Sequence, residues 1–244
     1  LSIADLKKTL IKIRAERRGC FAVVATAGTT VRGAVDPLVE LSEICRKEGI
    51  WLHVDASIGG VFALSKSTSS IVKGLSLADS ISLNPQKLLG VAKTSSLLLV
   101  AQKKNLISTF QTGLPYIEPP IGDEVHGGEM GLQGTRPAEI IKLWLGLRQL
   151  GEVGIQNILD ESINRRCYLE EKLDSSKLKL ISGPLHLIAF TPKGLDYESS
   201  LKWSYETRKS LLVHKYMLSR PIHNGNYYLK VVLGNPHTKK EHLD

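Results

Sequence analysis

The sequence has few cysteines, few aromatic residues and no long apolar run. Its three cysteines (Cys20, Cys45 and Cys167) are odd in number and widely spaced, which favours reduced thiols over a disulfide framework or a metal site. No apolar run approaches the roughly 20 residues that a membrane-spanning helix needs, and no signal peptide is visible in the sequence. These absences predict a cytoplasmic protein without a membrane partner.

The charge of the chain is basic but spread along the sequence. Lysine and arginine total 32 against 24 acidic residues, which gives a formal net charge of +8. A nucleic-acid site requires basic side chains on one face with interleaved aromatics, and only 6% of the residues are aromatic. The sequence also lacks a metal-ligand spacing, a Gly-x-Ser-x-Gly elbow and a dinucleotide fingerprint. We therefore expect a solvated basic surface, no nucleic-acid partner and no metal.

Short apolar runs alternate with amphipathic helices, which indicates an α/β fold whose mostly parallel sheet is covered on both sides. The predicted strands are residues 21–25, 50–54, 81–83 and 96–100, the last being antiparallel or at a crossing point. The predicted helices are residues 2–17, 37–47, 137–150 and 155–173. The inward stripe of the third helix is predicted to be Ile140, Ile141, Trp144 and Leu147.

Two changes of pattern divide the chain. Residues 110–136 are dominated by Gly, Pro and acidic side chains without a period, and a loop of this length in a compact domain is more often functional than idle. After about residue 178, short strands around one helix are typical of an α+β unit. We expect a large domain over residues 1–175, which includes this lid loop, and a small, incomplete C-terminal domain over residues 176–244. Both chain ends interrupt an element, which predicts a piece of a longer protein.

Two polar residues follow predicted buried strands. Asp55 ends the run Trp51-Leu52-His53-Val54, and Lys87 follows Asn84-Pro85-Gln86 beyond the next strand. An amine whose pKa is lowered by burial can condense with an aldehyde, and a carboxylate can hold a pyridine nitrogen protonated. Delivered to one edge of a parallel sheet, the pair predicts a pyridoxal phosphate site. Taken singly, a surface lysine and a structurally paired aspartate are the alternatives.

Three further residues are weaker candidates. Thr30 closes a loop of small side chains that would let a flat ring or a phosphate approach, although an ordinary turn is the alternative. His53 lies on the same side of its strand as Asp55 and either orients it or is a satisfied core histidine. Tyr116 is the only tyrosine of the lid loop. It either returns a proton to a carbanion once water is excluded or packs the loop onto the body.

Taken in order, these motifs resemble the group II pyridoxal phosphate-dependent decarboxylases, which include glutamate, cysteine sulfinate, aromatic amino acid and histidine decarboxylases. The matching motifs are residues 25–30, 36–37, 51–56, 78–80 and 84–87, with a weaker continuation at 231–236. The resemblance implies the fold type I, aminotransferase-like architecture and a homodimer with pyridoxal 5′-phosphate at the interface. It also implies decarboxylation of an L-amino acid to its amine and carbon dioxide.

The resemblance also implies roles for single residues. Lys87 corresponds to the lysine that bears the cofactor, and Asp55 to the aspartate that pairs with the pyridine nitrogen. Thr30 and Asn84 correspond to residues that contact the cofactor, and Tyr116 to the lid tyrosine that protonates the substrate carbon.

The sequence departs from the family's pattern at two positions. Gln86 stands where relatives usually have His, and Ser57 stands where Ala is common. We predict that both residues, together with His53, lie at the cofactor. The ring-stacking histidine and the phosphate cup would lie in an absent upstream segment. Aldehyde-forming decarboxylation and carbon–carbon cleavage are alternative reactions of the same cofactor, and a truncated, non-catalytic fragment is the alternative class. Tyr116 favours simple decarboxylation, because aldehyde-forming relatives tend to lack that phenol.

Overall fold

The structure is a computed structural model that describes residues 1–113 and 126–244. The strands of its larger sheet are β1 (Ala22–Thr26), β2 (Trp51–Asp55), β3 (Ser80–Leu83) and β4 (Leu97–Val100). They are ordered β1-β2-β3-β4; the first three are parallel, and β4 is antiparallel to β3. The mostly parallel sheet of the predicted α/β fold is confirmed, including its antiparallel last strand.

Five α-helices accompany the strands of the described residues. They are α1 (Ile3–Ala15), α2 (Leu38–Glu48), α3 (Lys103–Phe110), α4 (Ile140–Lys172) and α5 (Tyr197–Val213). Ser2 begins α1 as expected, because its hydroxyl accepts a hydrogen bond from the Asp5 N–H. Gly49 ends α2 with a positive φ of 66°, a conformation that glycine adopts without steric strain. Short 3-10 turns occur at Gly60–Leu64, Ser69–Val72, Leu75–Leu77, Gly127–Glu129 and Lys240–His242.

One face of the larger sheet is packed and the other is open in the described residues. Apolar side chains of β1 and β2 that point to the packed face, such as Ala25 and Val54, are buried in the main core. On the opposite face Val24 is 60% exposed. The expectation that both faces are covered is therefore wrong for these residues. A continuous apolar run shows that a strand is apolar on both faces, but it does not supply the element that covers each face.

Helix α4 connects the two cores of the chain. Its first part contributes Leu143 to the main core, and Leu169 near its end packs against Ile188 and Leu233. Gly151 interrupts the helical geometry with φ 59° and ψ 179°, between the two helices that the sequence predicts. The single helix therefore consists of two segments that meet at a kink.

The predicted inward stripe of α4 is wrong in three of four positions. Ile140 is 65% exposed, Trp144 is 58% exposed and Ile141 is exposed as well, whereas Leu147 packs against the core. Leu143, one turn before Leu147, is buried in place of the others. Apolar residues surround this part of the helix, so their spacing alone does not decide which side faces the core.

The C-terminal part of the chain forms a smaller, antiparallel sheet. Its strands β5 (Leu178–Ser182), β6 (Leu187–Pro192) and β9 (Leu229–Val232) are ordered β5-β6-β9. A two-stranded ribbon accompanies it, made of β7 (Ile222–His223) and β8 (Asn226–Tyr227). Helix α4 is fastened to this sheet because Arg165 donates from Nε to the Leu233 carbonyl oxygen over 3.0 Å. Within residues 1–113 and 126–244, no helix combines the length and apolarity needed to cross a bilayer.

Candidate active site

The carboxyl ends of the three parallel strands meet at one edge of the larger sheet. Thr26, Asp55 and Ser82 are aligned across β1, β2 and β3. Residues aligned in this way point to the same face, and here that face is the open one. The loops that follow the three strands carry Thr30, Ser57 and Lys87, so the predicted aspartate and lysine belong to adjacent strand ends.

Asp55 is held by hydroxyl and amide groups. Its Oδ1 atom accepts hydrogen bonds from the Ser57 hydroxyl over 2.6 Å, the Ser57 N–H over 3.1 Å and the Ser82 hydroxyl over 3.2 Å. Partial burial alone would raise the pKa of Asp55. The hydrogen bonds from Ser57 and Ser82 and the charge of Lys87 outweigh burial, and the net pKa is below the ordinary value of 3.8. Asp55 is therefore ionised at neutral pH.

Lys87 begins at a short anchored turn. Its N–H donates to the Asn84 carbonyl oxygen over 3.0 Å, and Leu88 and Leu89, which follow it, are buried. The Lys87 side chain itself is exposed, so the burial expected for this amine is not provided by the described residues. The reason is that Lys87 projects from a loop beyond the strand end, whereas the neighbouring leucines provide the anchoring. Gln86 accepts from the Ser95 N–H through Oε1 over 2.6 Å.

The loop after β1 brings Thr30 toward the smaller sheet. The loop is closed by Thr29, whose hydroxyl accepts from the Ala34 N–H over 2.9 Å. The Thr30 carbonyl oxygen accepts from Lys230 Nζ over 3.2 Å. Thr30 therefore contacts the strand β9 through its backbone, and its side chain is exposed.

His53 shares the face of Asp55 but contacts a different group. Its Nδ1 atom lies 2.8 Å from the hydroxyl of Ser80, which also accepts from the Trp51 Nε1–H over 2.8 Å. These contacts tie His53 to the neighbouring strand β3. No hydrogen bond joins His53 to Asp55 among the residues that the structure describes. The alternative of a satisfied histidine accounts for these contacts.

A cavity of about 460 Å³ separates the two sheets next to Lys87. Thr30 and Lys87 line it from the larger sheet, and His186 and Lys230 line it from the smaller one. The remaining lining residues are Ile58, Leu88, Gly90, Leu187, Val232, Gly234, Asn235 and Pro236. No aspartate or glutamate of the described residues lines this cavity.

The cavity contains two polar residues from the smaller sheet, His186 and Lys230, that were not predicted from the sequence. Lys230 lies in the strand β9, and burial lowers its pKa below the ordinary value. Its ammonium group has no carboxylate within ion-pair distance in the described part of the chain. His186 is buried just before β6. The lysine inside the apolar run 227–233 could have indicated this site, because a buried charge is costly unless it has a partner.

Tyr116 lies outside the described residues, in the stretch 114–125. Within the described residues no group of three or more His, Cys, Asp or Glu side chains could hold a metal ion.

The sequence profile of the pyridoxal-dependent decarboxylase conserved domain matches residues 1–190. The chain belongs to the pyridoxal-dependent decarboxylase family. It is 29% identical to the acidic amino acid decarboxylase of Bos taurus over 98% of this chain and 50% of that protein. It is 33% identical to the aromatic-L-amino-acid decarboxylase of Bacillus atrophaeus over 72% of this chain and 38% of that protein.

A solved structure of the same family supports the fold. The crystal structure of mouse CSAD superposes with a TM-score of 0.86 and 28% identity, over 99% of this chain and 53% of that one. The resemblance and the fold class expected from the sequence are confirmed. The chain spans about half the length, or less, of the curated relatives that it matches.

The residues present fit the pyridoxal phosphate of this family. Asp55 is ionised, and its Oδ2 atom receives no hydrogen bond from the described residues. A free carboxylate oxygen is the partner that a protonated pyridine nitrogen needs. The Lys87 amine follows the neighbouring strand end and is open to a ligand. Asp55 and Lys87 could therefore hold the ring nitrogen and the aldehyde carbon of one cofactor.

Proposed function

We propose that the full-length protein is a pyridoxal phosphate-dependent decarboxylase that converts an L-amino acid to its amine and carbon dioxide. The observation that carries this proposal is that the ionised Asp55 lies at a strand end beside the loop of Lys87. The positive charge of Lys87 contributes to the low pKa of Asp55. The two groups act on opposite ends of one small ring in this proposal. Bound pyridoxal phosphate supplies an electron sink for the electron pair left when carbon dioxide departs.

Each protein group has a defined task in the proposed site. Lys87 bears the cofactor through its Nζ atom, and Asp55 keeps the ring nitrogen protonated by placing a negative charge beside it. Thr30, Asn84, Gln86, His53 and Ser57 surround the cofactor. Tyr116 returns a proton to the substrate carbon, and a phenol in a lid is suited to this step because closure excludes water.

We propose that Lys230 binds a carboxylate of the substrate. Its ammonium group lines the same cavity as Lys87, and its pKa is lowered by burial. A partly buried cation without an acidic neighbour in the described cavity wall favours an anionic ligand. This carboxylate is not the one that leaves as carbon dioxide, because an ion pair to the leaving group would stabilise the ground state and oppose the reaction. The contact therefore favours an amino acid with an acidic side chain.

We also propose a division into a cofactor domain over residues 1–175 and a small domain over residues 176–244, and assembly as a homodimer. The change from a parallel to an antiparallel sheet near residue 178 supports the division.

The homodimer is supported by the open face of the larger sheet, where further polypeptide would complete the site. Light scattering of the full-length protein measures the assembly, and a monomer would remove the homodimer from the proposal.

The test of function uses the full-length protein with added pyridoxal phosphate. We expect an absorbance band near the visible edge that disappears in Lys87→Ala and persists in Lys104→Ala, an exposed lysine of α3. Asp55→Asn should retain part of the cofactor and lose most turnover. Carbon dioxide release from a panel of acidic and aromatic amino acids identifies the substrate. A band that persists in Lys87→Ala would contradict the assignment, and an aldehyde product would contradict simple decarboxylation.

A further inference from the structure

The hydrogen bonds to Asp55 are distributed unevenly between its two oxygens. Oδ1 accepts all three, from the Ser57 hydroxyl, the Ser57 N–H and the Ser82 hydroxyl. Within residues 1–113 and 126–244, Oδ2 accepts none. We call Ser57 and Ser82 the serine pair. A carboxylate that merely needed to be satisfied could accept at both oxygens, so the one-sided arrangement calls for an explanation.

The two serines approach Oδ1 from independent parts of the fold. Ser82 belongs to β3 and lies opposite Asp55 in the register with β2, so its side chain points to the same open face. Ser57 lies two residues after Asp55 and donates to the same oxygen from both its hydroxyl and its N–H. Rotation of the carboxylate about its last torsion would break bonds from both directions at once.

We propose that the serine pair positions Asp55 by holding Oδ1, so that Oδ2 faces the ring nitrogen of pyridoxal phosphate. Ser57 and Ser82 are positioning residues in this proposal, because they act through Asp55 without touching the reacting atoms. The proposal rests on the proposed function, and it adds to the position at the cofactor predicted for Ser57 a role that acts through Asp55. A partner that is fixed before binding loses less conformational freedom when the ligand arrives.

Hydroxyl donors suit this task better than a cation would. A lysine or arginine bonded to Asp55 would neutralise its charge and compete with the ring nitrogen for it. Serine hydroxyls fix the carboxylate geometry and keep the net charge at −1. The low pKa of Asp55 agrees with this arrangement, since hydrogen bonds to an ionised carboxylate favour the ionised form.

The test compares Ser57→Ala, Ser82→Ala and Ser57→Thr, the last of which retains a hydroxyl. Ser42→Ala is the control. Ser42 is more buried than the serine pair, and it donates its hydroxyl to the Val39 carbonyl oxygen, away from Asp55. The first readout is the Asp55 pKa in the cofactor-free full-length protein, from carboxyl carbon NMR. The second is the Kd of pyridoxal phosphate, from quenching of tryptophan fluorescence.

We expect Ser57→Ala to raise the Asp55 pKa and to weaken cofactor binding about tenfold, the effect of removing one hydrogen bond to a charged group. Ser82→Ala should act in the same direction but less, because its bond is longer. Ser57→Thr should restore most of the affinity, and Ser42→Ala should change neither quantity.

Three outcomes would overturn the proposal. An unchanged Asp55 pKa in both alanine variants would show that the serine pair does not hydrogen-bond to the Asp55 carboxylate. A raised Asp55 pKa with unchanged cofactor affinity would show that the serine pair only satisfies the hydrogen-bonding capacity of the carboxylate. It would rule out the positioning role. Failure of the unaltered protein to bind pyridoxal phosphate would overturn the proposed function, and with it the inference that rests on it. The last result is distinguishable because it does not depend on any variant.

Discussion

Replacing His186 by leucine should remove part of the acid sensitivity of the folded chain. His186 is 5% exposed and stacks on Phe62, with ring centroids 5.9 Å apart. Burial and, to a smaller extent, the charge of Arg165 lower its pKa from an ordinary value of 6.5 to about 4. Its Nδ1 atom is buried without a hydrogen-bond partner in the described residues. The folded chain therefore keeps this ring neutral at pH values at which the unfolded chain protonates it.

The sign and the size of the effect follow from the two pKa values. Because the unfolded chain binds the extra proton, stability is fully present above pH 6.5 and falls as the pH drops toward 4. Each pKa unit corresponds to about 1.4 kcal/mol of unfolding free energy. The loss should reach about 2 kcal/mol near pH 5 and about 3 kcal/mol below pH 4. Leucine has a similar volume and does not titrate, so His186→Leu lacks this contribution.

Urea unfolding at about pH 7 and about pH 5 measures the difference. Between about pH 7 and about pH 5, the unfolding free energy of the unaltered protein should fall by about 2 kcal/mol more than that of His186→Leu. His214→Gln, which removes an exposed histidine, should track the unaltered protein. Parallel pH dependences for His186→Leu and the unaltered protein would show that His186 is not held neutral by burial.

Three other changes test the packing around the site and the role proposed for Tyr116. Gly59→Ala should destabilise the chain by about 1–3 kcal/mol, because its Cβ would lie 2.4 Å from the Ala27 carbonyl oxygen. Gly154→Ala has only ordinary contacts and should stabilise α4 by about 0.5–1 kcal/mol, so equal effects in thermal unfolding would contradict the steric argument. Tyr116→Phe should shift products of the full-length protein toward aldehyde, and unchanged amine output would remove the proposed proton transfer.

The sequence predicted the sheet edge because the decisive signals there are local. Asp55 and Lys87 each follow an apolar strand run, and parallel strands deliver their carboxyl ends to a common edge. The order of three parallel strands and one antiparallel strand was therefore within reach of the sequence. The prediction of a covered second face was wrong. Apolar side chains on both sides of a strand indicate that both faces can be buried, but no element of the described residues covers Val24.

The smaller sheet's contribution to the cavity could not be predicted in the same way. Lys230 and Thr30 are separated by 200 residues, and they meet because the smaller sheet packs on the main core, to which Leu185 and Leu187 belong. Local patterns carry no information about such a contact. The side of α4 that faces the core was mispredicted for a related reason. Near Trp144 the helix is apolar around its circumference, so only tertiary packing determines that Leu143 is buried.

The state of Asp55 connects the open face of the sheet with the proposed chemistry. A carboxylate buried on a closed face would need a cation or would take up a proton, since an isolated buried charge is costly. On the half-open face, hydroxyl and amide hydrogen bonds are sufficient to keep Asp55 ionised without neutralising it. Its charge is then available to a ligand. Asp55 lies on the same face as the exposed Val24, so in the described residues its carboxylate is accessible to a cofactor ring.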